Sequence, residues 1–300
     1  MFRRPALRIP QFARSIAVRS KGPWVFHDDM SATHAETLDV ALQGYLEAPH
    51  RPTKVGAPLL PGDHLVFFNH RVPESSLGRD GYDDEQSPIG DFPNRRWYGG
   101  RIEFNIESDL ILGRPAVCTE TLSSIKQSGN NKRVTVSIDR TMRSVDEPES
   151  WAVREQRTFF YFNNDPVLIE RQSKRHFAPK YKAKIQRHID PSRFLLFRYS
   201  ALNFNAHLIH LDKAYTTEQE KLPDVVVQGP LMVTMVLRWV ANDILGNGRV
   251  VKQFSYRNLA PLFVNDHAVL CAAPISPDVI EVWIENSQGG MVLTGSIVIA

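Results

Sequence analysis

Several long stretches of this chain alternate between apolar and polar positions, the mark of strands with one covered face. In the first half these are RIEFNI (101–106), PAVCTETLSSIKQ (115–127), KRVTVSIDRTMRS (132–144) and WAVREQRTFFYF (151–162). The turn residues Gly129, Asn130 and Asn131 separate the middle pair. In the second half VVKQFSYRN (250–258), HAVLCAAPI (267–275), VIEVWIEN (279–286) and MVLTGSIVIA (291–300) read as further strands. Two shorter runs, HLVFFNHRV (64–72) and Phe194 to Ser200, also read as strands. Together they predict curved antiparallel meanders rather than a parallel sheet.

Helical periodicity occurs twice. Ser31 and Thr33 are cap-like, Glu36 follows Thr33 at capping-box spacing, and Leu38, Ala41, Leu42 and Tyr45 then share one face. This predicts a helix over 31–46. From Leu231 to Leu245 the apolar residues run round most of a helix, with Pro230 in the favoured first position and Gly246-Asn247-Gly248 at its end. A helix apolar on nearly every side must be enclosed, and only strands remain to enclose it. Residues 73–94 are rich in Gly, Asp, Ser and Pro and lack periodicity, which predicts a long loop of the kind used for lids or binding. The polar, basic stretch 166–193 reads as a linker. On either side of it, GGRIEFNIESDLILGRPAVC parallels VKQFSYRNLAPLFVNDHAVLC. The chain thus reads as one fold present twice, over 28–165 and 194–300.

The 300 residues are 42% hydrophobic, enough for a real core in one large domain or two ordinary ones. The net charge of +3 is concentrated at the N-terminus, leaving a near-neutral body with no broad basic face for nucleic acid. Cys118 and Cys271 lie far apart in apolar contexts and read as reduced, buried thiols. No run approaches the ~20 apolar residues of a membrane-spanning helix. The opening 21 residues carry Arg3, Arg4, Arg8, Arg14, Arg19 and Lys21, and no acid precedes Asp28. That is the composition of a mitochondrial transit peptide, assigned here to 1–27, and it predicts a matrix protein.

Candidate chemistry centres on NFNAHLIH, Asn203 to His210. His207 and His210 have a spacing that suits metal ligation, yet no Cys-x-x-Cys or His-Glu-x-x-His accompanies them to complete a zinc site. An imidazole titrates near neutrality, so either histidine suits acid–base work, and Asn205 can orient a hydroxyl without transferring a proton. Gly229 stands at the start of the apolar helix, where unpaired amides hold an oxyanion. These parts suit addition or elimination of water beside a carbonyl. A pair of satisfied polar groups at a strand end remains an equal reading of the residues alone.

Three stretches carry a resemblance: FRYSALNFNAHLIHLDKAYT (197–216), VVVQGPLMVTMVL (225–237) and FSYRNLAPLFVND (254–266), with RRWYGGRIEF (95–104) as the first-half counterpart. They resemble the hotdog-fold hydratase/dehydratase family, the MaoC-like and R-specific enoyl-CoA hydratases. The likeness is greatest to the subgroup of fungal mitochondrial type 2 3-hydroxyacyl-thioester dehydratases and bacterial mesaconyl-C4-CoA hydratase. The resemblance implies an α+β double hotdog, two antiparallel sheets each wrapping a central helix, as a monomer or homodimer. It also implies reversible dehydration of 3-hydroxyacyl thioesters on acyl carrier protein or coenzyme A, with no cofactor or metal. The family's motif has an aspartate five residues before its histidine; aligned on His210, that position is Asn205. By resemblance His210 is the principal acid–base, Asn205 positions the hydroxyl, and His207 supplies the missing proton function. Gly229, followed by Pro230, holds the thioester oxygen. Asp212 is a weaker candidate, read chiefly as a solvated turn carboxylate. Basic residues of the linker (Lys174, Arg175, Lys180, Lys182, Lys184, Arg187) are a possible landing for an acidic carrier protein. A hotdog thioesterase and a non-catalytic acyl-binding subunit are the alternatives.

Overall fold

The structure is a computed structural model that describes residues 17–50, 52–90, 92, 94–128, 133–163, 176–246 and 248–300. The alternating stretches form strands close to where the pattern puts them. In the first half these are β2 (Asn94–Phe104), β3 (Ala116–Ser128), β4 (Arg133–Ser144) and β5 (Val153–Phe162). In the second they are β7 (Val251–Asn258), β8 (Ala268–Ser276), β9 (Val279–Glu285) and β10 (Met291–Ile299). Two further strands, β1 (Trp24–Asp28) and β6 (Ile185–Ile189), close the edges. β1 overlaps the span expected as a leader, whose residues 1–16 lie outside the described residues, and β6 lies within the expected linker. The expected turn at Gly129 to Asn131 also falls outside them.

All ten strands belong to one antiparallel sheet in the order β1-β3-β4-β5-β2-β7-β10-β9-β8-β6. Read inward from either edge, each half contributes five strands in the same topological order, which is the duplication the sequence predicts. The two sheets expected are therefore halves of a single sheet, joined where β2 pairs with β7 from Gly99↔Arg257 to Glu103↔Gln253.

The helices depart further from expectation. α1 (Ala32–Leu42) is capped by Ser31, whose Oγ accepts from His34 N, and ends four residues early. The segment read as a strand from Phe194 is instead α2 (Arg193–Leu202), capped by Ser192. Leu195, Leu196, Tyr199 and Leu202 are buried at helical spacing, while Phe194 and Phe197 are 81% and 65% exposed. The aromatics that suggest a strand thus ride on the outside of a helix. α1 and α2 occupy corresponding places after β1 and β6 and pack together. A short helix, α3 (Lys213–Glu218), precedes α4 (Gly229–Trp239), which continues into a π-helical turn, Val240–Ile244.

Every residue of α4 from Leu231 to Trp239 is buried. It shares one core cluster with Phe254, Leu270, Val282, Leu293 and Ile297 of the second-half strands. Full burial of a Leu, Val or Met side chain contributes roughly 1.5–3 kcal/mol, so this helix anchors the core. Among the described residues, the first half has no equal to it. HLVFFNHRV, expected as a strand, opens with one 3-10 turn, Asp63–Val66. Four successive residues, Leu65 to Phe68, are buried at 4% or less. The run enters the core through that turn and not along a strand.

Charge fills part of the first half's interior. Arg140 on β4 donates from Nε to Glu120 Oε1 on β3 (2.6 Å) and from Nη1 to Glu155 Oε2 on β5 (2.8 Å). Arg157 Nε donates to Glu155 Oε1 (2.8 Å). Cys118 and Cys271 are free and buried, and among the described residues no helix is long and apolar enough to cross a membrane.

Candidate active site

The motif Asn203 to His210 follows α2 as an irregular loop. Phe204 takes a left-handed turn (φ 53°), and Asn205 N donates to Ser200 O (2.8 Å). Asn205 Oδ1 accepts from His207 N (3.0 Å), so the residue at the family's aspartate position shapes the loop and keeps its amide Nδ2 as the remaining donor. His207 leads into a 3-10 turn, Leu208–His210.

The two imidazoles are held differently. His210 Nδ1 lies 2.8 Å from Val226 O. A carbonyl only accepts, so Nδ1 carries the proton and Nε2 keeps a lone pair. Burial, reinforced by the neighbouring His207, pushes His210 down to about 3, so it is neutral at pH 7. His207 is buried, and its ring meets His210 edge-on with centroids 5.4 Å apart. Its Nε2 lies 3.3 Å from Asp80 Oδ2. Burial holds His207 below its ordinary value, and the contact with Asp80 offsets only part of that.

Asp80 comes from the unpatterned loop 73–94 of the first half, and the sequence reading missed it. The loop lies directly on the motif: Leu208 N donates to Asp80 O (2.8 Å), and a Cβ at Gly81 would stand 2.3 Å from Ala206 O. No side chain other than hydrogen fits there. Burial raises the Asp80 carboxyl, but the bond to His207 and the Tyr82 amide outweigh it and hold the group below its ordinary value.

The same loop is tied at its far end. His70 bridges Asp83 Oδ2 (2.9 Å, Nδ1) and Glu120 Oε2 (3.3 Å, Nε2). Burial lowers His70, but these two carboxylates raise it to about 9. His70, Asp83 and Glu85 bring ligand atoms within 4.8 Å of one another, a donor set unlike the His207–His210 pair considered from sequence. Its members are already bonded, Glu85 Oε1 accepting from Trp24 Nε1 (3.0 Å).

Val226, whose carbonyl orients His210, leads directly into Gln228 and α4. No side chain caps this helix end, and Pro230 contributes no N–H. The amide of Gly229 is thus a first-turn donor without an intrahelical acceptor. A Cβ on Gly229 would come within 3.3 Å of Trp97 Cβ and Asn258 Nδ2, so any side chain there would crowd both and shift the backbone by a few tenths of an ångström.

Asn205, His207, His210, Gly229 and Pro230 all line one cavity of about 1290 Å³. Both halves wall it: Phe68, Leu77 and Trp97 from the first, Phe197 and Met232 from the second. Asp212 is not among its residues; it is exposed and caps α3 by accepting from Tyr215 N (3.0 Å). Among the linker cations, Arg187 is committed within the protein. Arg187 Nε donates to Tyr45 O, and its Nη1 pairs with Glu47 and Asp243, so it joins the halves instead of facing a carrier. Lys180, Lys182 and Lys184 are exposed; Lys174 and Arg175 lie outside the described residues.

Comparison with known proteins agrees with this arrangement. The sequence profile described as hydroxyacyl-thioester dehydratase type 2 matches residues 62–264, spanning the loop, the motif and α4. The chain is 28% identical over 288 residues to a protein of Schizosaccharomyces pombe named "Hydroxyacyl-thioester dehydratase type 2, mitochondrial", covering 87% of this chain and 92% of that protein. It is 30% identical over 264 residues to a Chloroflexus aurantiacus protein named "Mesaconyl-C(4)-CoA hydratase", covering 86% and 90%. Among solved structures, a MaoC-like dehydratase from Phytophthora capsici has the same fold, with TM-score 0.69 and 11% identity over 93% of this chain and 96% of that one. With the motif, the helix terminus and the β2–β7 junction of the sheet all inside the matched span, the chain belongs to the hydroxyacyl-thioester dehydratase type 2 family.

Proposed function

We propose that this protein is a hydro-lyase that reversibly removes water from (3R)-3-hydroxyacyl thioesters to give trans-2-enoyl thioesters, with the acyl group on acyl carrier protein or coenzyme A. The observation that carries the proposal is the pair of imidazoles in a cavity also lined by the unpaired Gly229 amide. Each supplies a part that the reaction needs. The Gly229 N–H holds the thioester oxygen as negative charge develops on it. His210 Nε2, neutral and unprotonated, takes the proton from C2. The Asn205 amide holds the 3-hydroxyl, and His207 protonates it as the C3–O bond breaks and water leaves.

The fungal relatives' names support a mitochondrial location, and the arginine-rich, acid-free start of the chain supports the matrix in particular. Type II fatty acid synthesis is the pathway that such a thioester substrate fits.

Asn205 in place of the family's aspartate favours one rival, an acyl-binding subunit without catalysis. Incubation with crotonyl-CoA and with crotonyl carrier protein, following loss of the enoyl absorbance, separates the two. The wild type is expected to hydrate at least one, and His210→Ala to lose ~100-fold or more of the rate. Absence of hydration on both carriers would overturn the dehydratase reading.

A further inference from the structure

We propose that Asp80, delivered by the first-half loop, is the carboxylate partner of this active site: a positioning residue that keeps the pair's mobile proton on His207 and leaves His210 as the base. The inference rests on the dehydratase reading, and it accounts for the amide found where the family has an acid.

Asp80 is held in place. Its Oδ1 accepts from Tyr82 N (3.2 Å), its carbonyl accepts from Leu208 N, and Gly78 N closes the turn on Tyr82 O (2.8 Å). Gly81 seats the loop against Ala206, and the Asp83–His70–Glu120 bridge anchors it to β3. The Oδ2 left over meets His207 Nε2. Asn205 cannot take this role: an amide carries no negative charge to favour a proton on His207, and its Oδ1 already accepts from the His207 backbone.

The surrounding charges favour the same division. His207 faces Asp80 from the loop, Arg95 from β2, His210 from the 3-10 turn and Glu220 beyond α3. Arg95, whose guanidinium stacks 3.1 Å over the Tyr82 ring, disfavours a proton on either imidazole. Asp80 and Glu220 favour one on His207. Among the described residues, His210 meets the Val226 carbonyl at Nδ1 and no carboxylate. A single proton on the pair therefore sits on His207.

The proton count then closes over one turnover. The C2 proton passes to His210 Nε2, the C3–O pair leaves with the hydroxyl, and His207 gives that hydroxyl its proton, releasing water. The pair ends with one proton still on it, now on His210, and its return to His207 beside Asp80 resets the site.

The test compares Asp80→Asn and Asp80→Glu with wild type, and uses Asp84→Asn, an exposed loop carboxylate paired with Arg19, as control. For Asp80→Asn, kcat in the dehydration direction is expected to fall ~100-fold with KM changed less than about threefold. Dehydration needs His207 protonated, so its rate falls as pH rises through the His207 pKa. Losing Asp80 lowers that pKa, and the fall-off moves to lower pH. Asp80→Glu is expected to restore both in part, and Asp84→Asn to change neither. NMR titration of the His207 ring, which needs no substrate, is expected to move to lower pH in Asp80→Asn. Asp80→Ser gives the same titration reading if the asparagine variant fails to fold.

An unmoved His207 titration overturns the proposal, whether or not kcat falls, because a fall alone would then be structural. Wild-type kcat in Asp80→Asn also overturns it. A wild type inactive on both carriers overturns the dehydratase reading instead, and the titration still decides whether Asp80 governs His207.

Discussion

His210 presents one nitrogen to chemistry because Val226 takes the other, and His207 is likewise committed at Nε2 by Asp80. Two imidazoles that are neighbours in sequence thus become inequivalent through acceptors far from them in the chain. Gly229 is the other residue-scale determinant. Gly229→Ala should leave thermal stability near wild type, since alanine's helix preference of up to ~1 kcal/mol offsets the crowding at Trp97 and Asn258. Activity should nevertheless fall ~100-fold, because the displaced amide no longer meets the thioester oxygen. Steady-state kinetics beside a melting curve distinguishes this from general destabilisation.

Titrating residues also shape stability. Burial holds His64 down to about 4 and His210 to about 3, below the ordinary 6.5, so the stability they allow is full above pH 6.5 and is lost as pH falls. Burial raises Glu155, but Arg157 and Arg140 outweigh it and bring the carboxyl from 4.5 to about 2. Its contribution is present above 4.5 and disappears as pH falls toward 2. His70, raised to about 9, contributes fully below 6.5 and loses that contribution as pH rises to 9. Thermal unfolding across pH should therefore give a maximum close to 6.5, with the acid limb steeper because more groups act on it.

At the scale of elements, the sequence pattern worked where one face is dry and the other wet. β4, β5, β7 and β9 alternate over much of their length, and α4 shows its enclosure directly in being apolar all round. It failed where burial is two-sided or inverted. Leu65 to Phe68 are buried without alternation, and the exposed Phe194 and Phe197 disguise α2 as a strand. The inward charges on β3, β4 and β5 also read as surface. Arg140 joins these three strands, and Arg140→Met would remove the cation shared by buried Glu120 and Glu155, leaving them with His70 and Arg157 respectively. The expected loss is about 3–5 kcal/mol in urea unfolding, whereas a surface arginine such as Arg249, paired with Asp278, should cost ~1 kcal/mol or less.

At the scale of the molecule, the two halves share more than a sheet. Arg238 of α4 pairs with Asp39 of α1 and with Asp63, and Thr234 donates to Gly62 O (3.2 Å). The principal core cluster contains residues of both halves, from Leu38 and Ile102 to Val236 and Ile297. Unfolding is therefore expected as one transition: tryptophan fluorescence, with emitters in both halves, and far-UV circular dichroism should coincide on denaturation. Two separated transitions would show that the halves are independent.

The sequence by itself determined the strand repeat, the enclosed helix, the motif at Asn205 to His210 and the glycine before α4. Each is a local pattern of period or spacing, written by neighbouring residues. Tertiary structure decided that one half keeps a central helix while the other has a single turn and an ionic network, and that the half-sheets fuse. It also decided that a carboxylate from loop 73–94 stands beside His207. No local period records that placement, because Asp80 meets the motif only when the folded backbone carries the loop across the cavity and Gly81 comes to rest on Ala206.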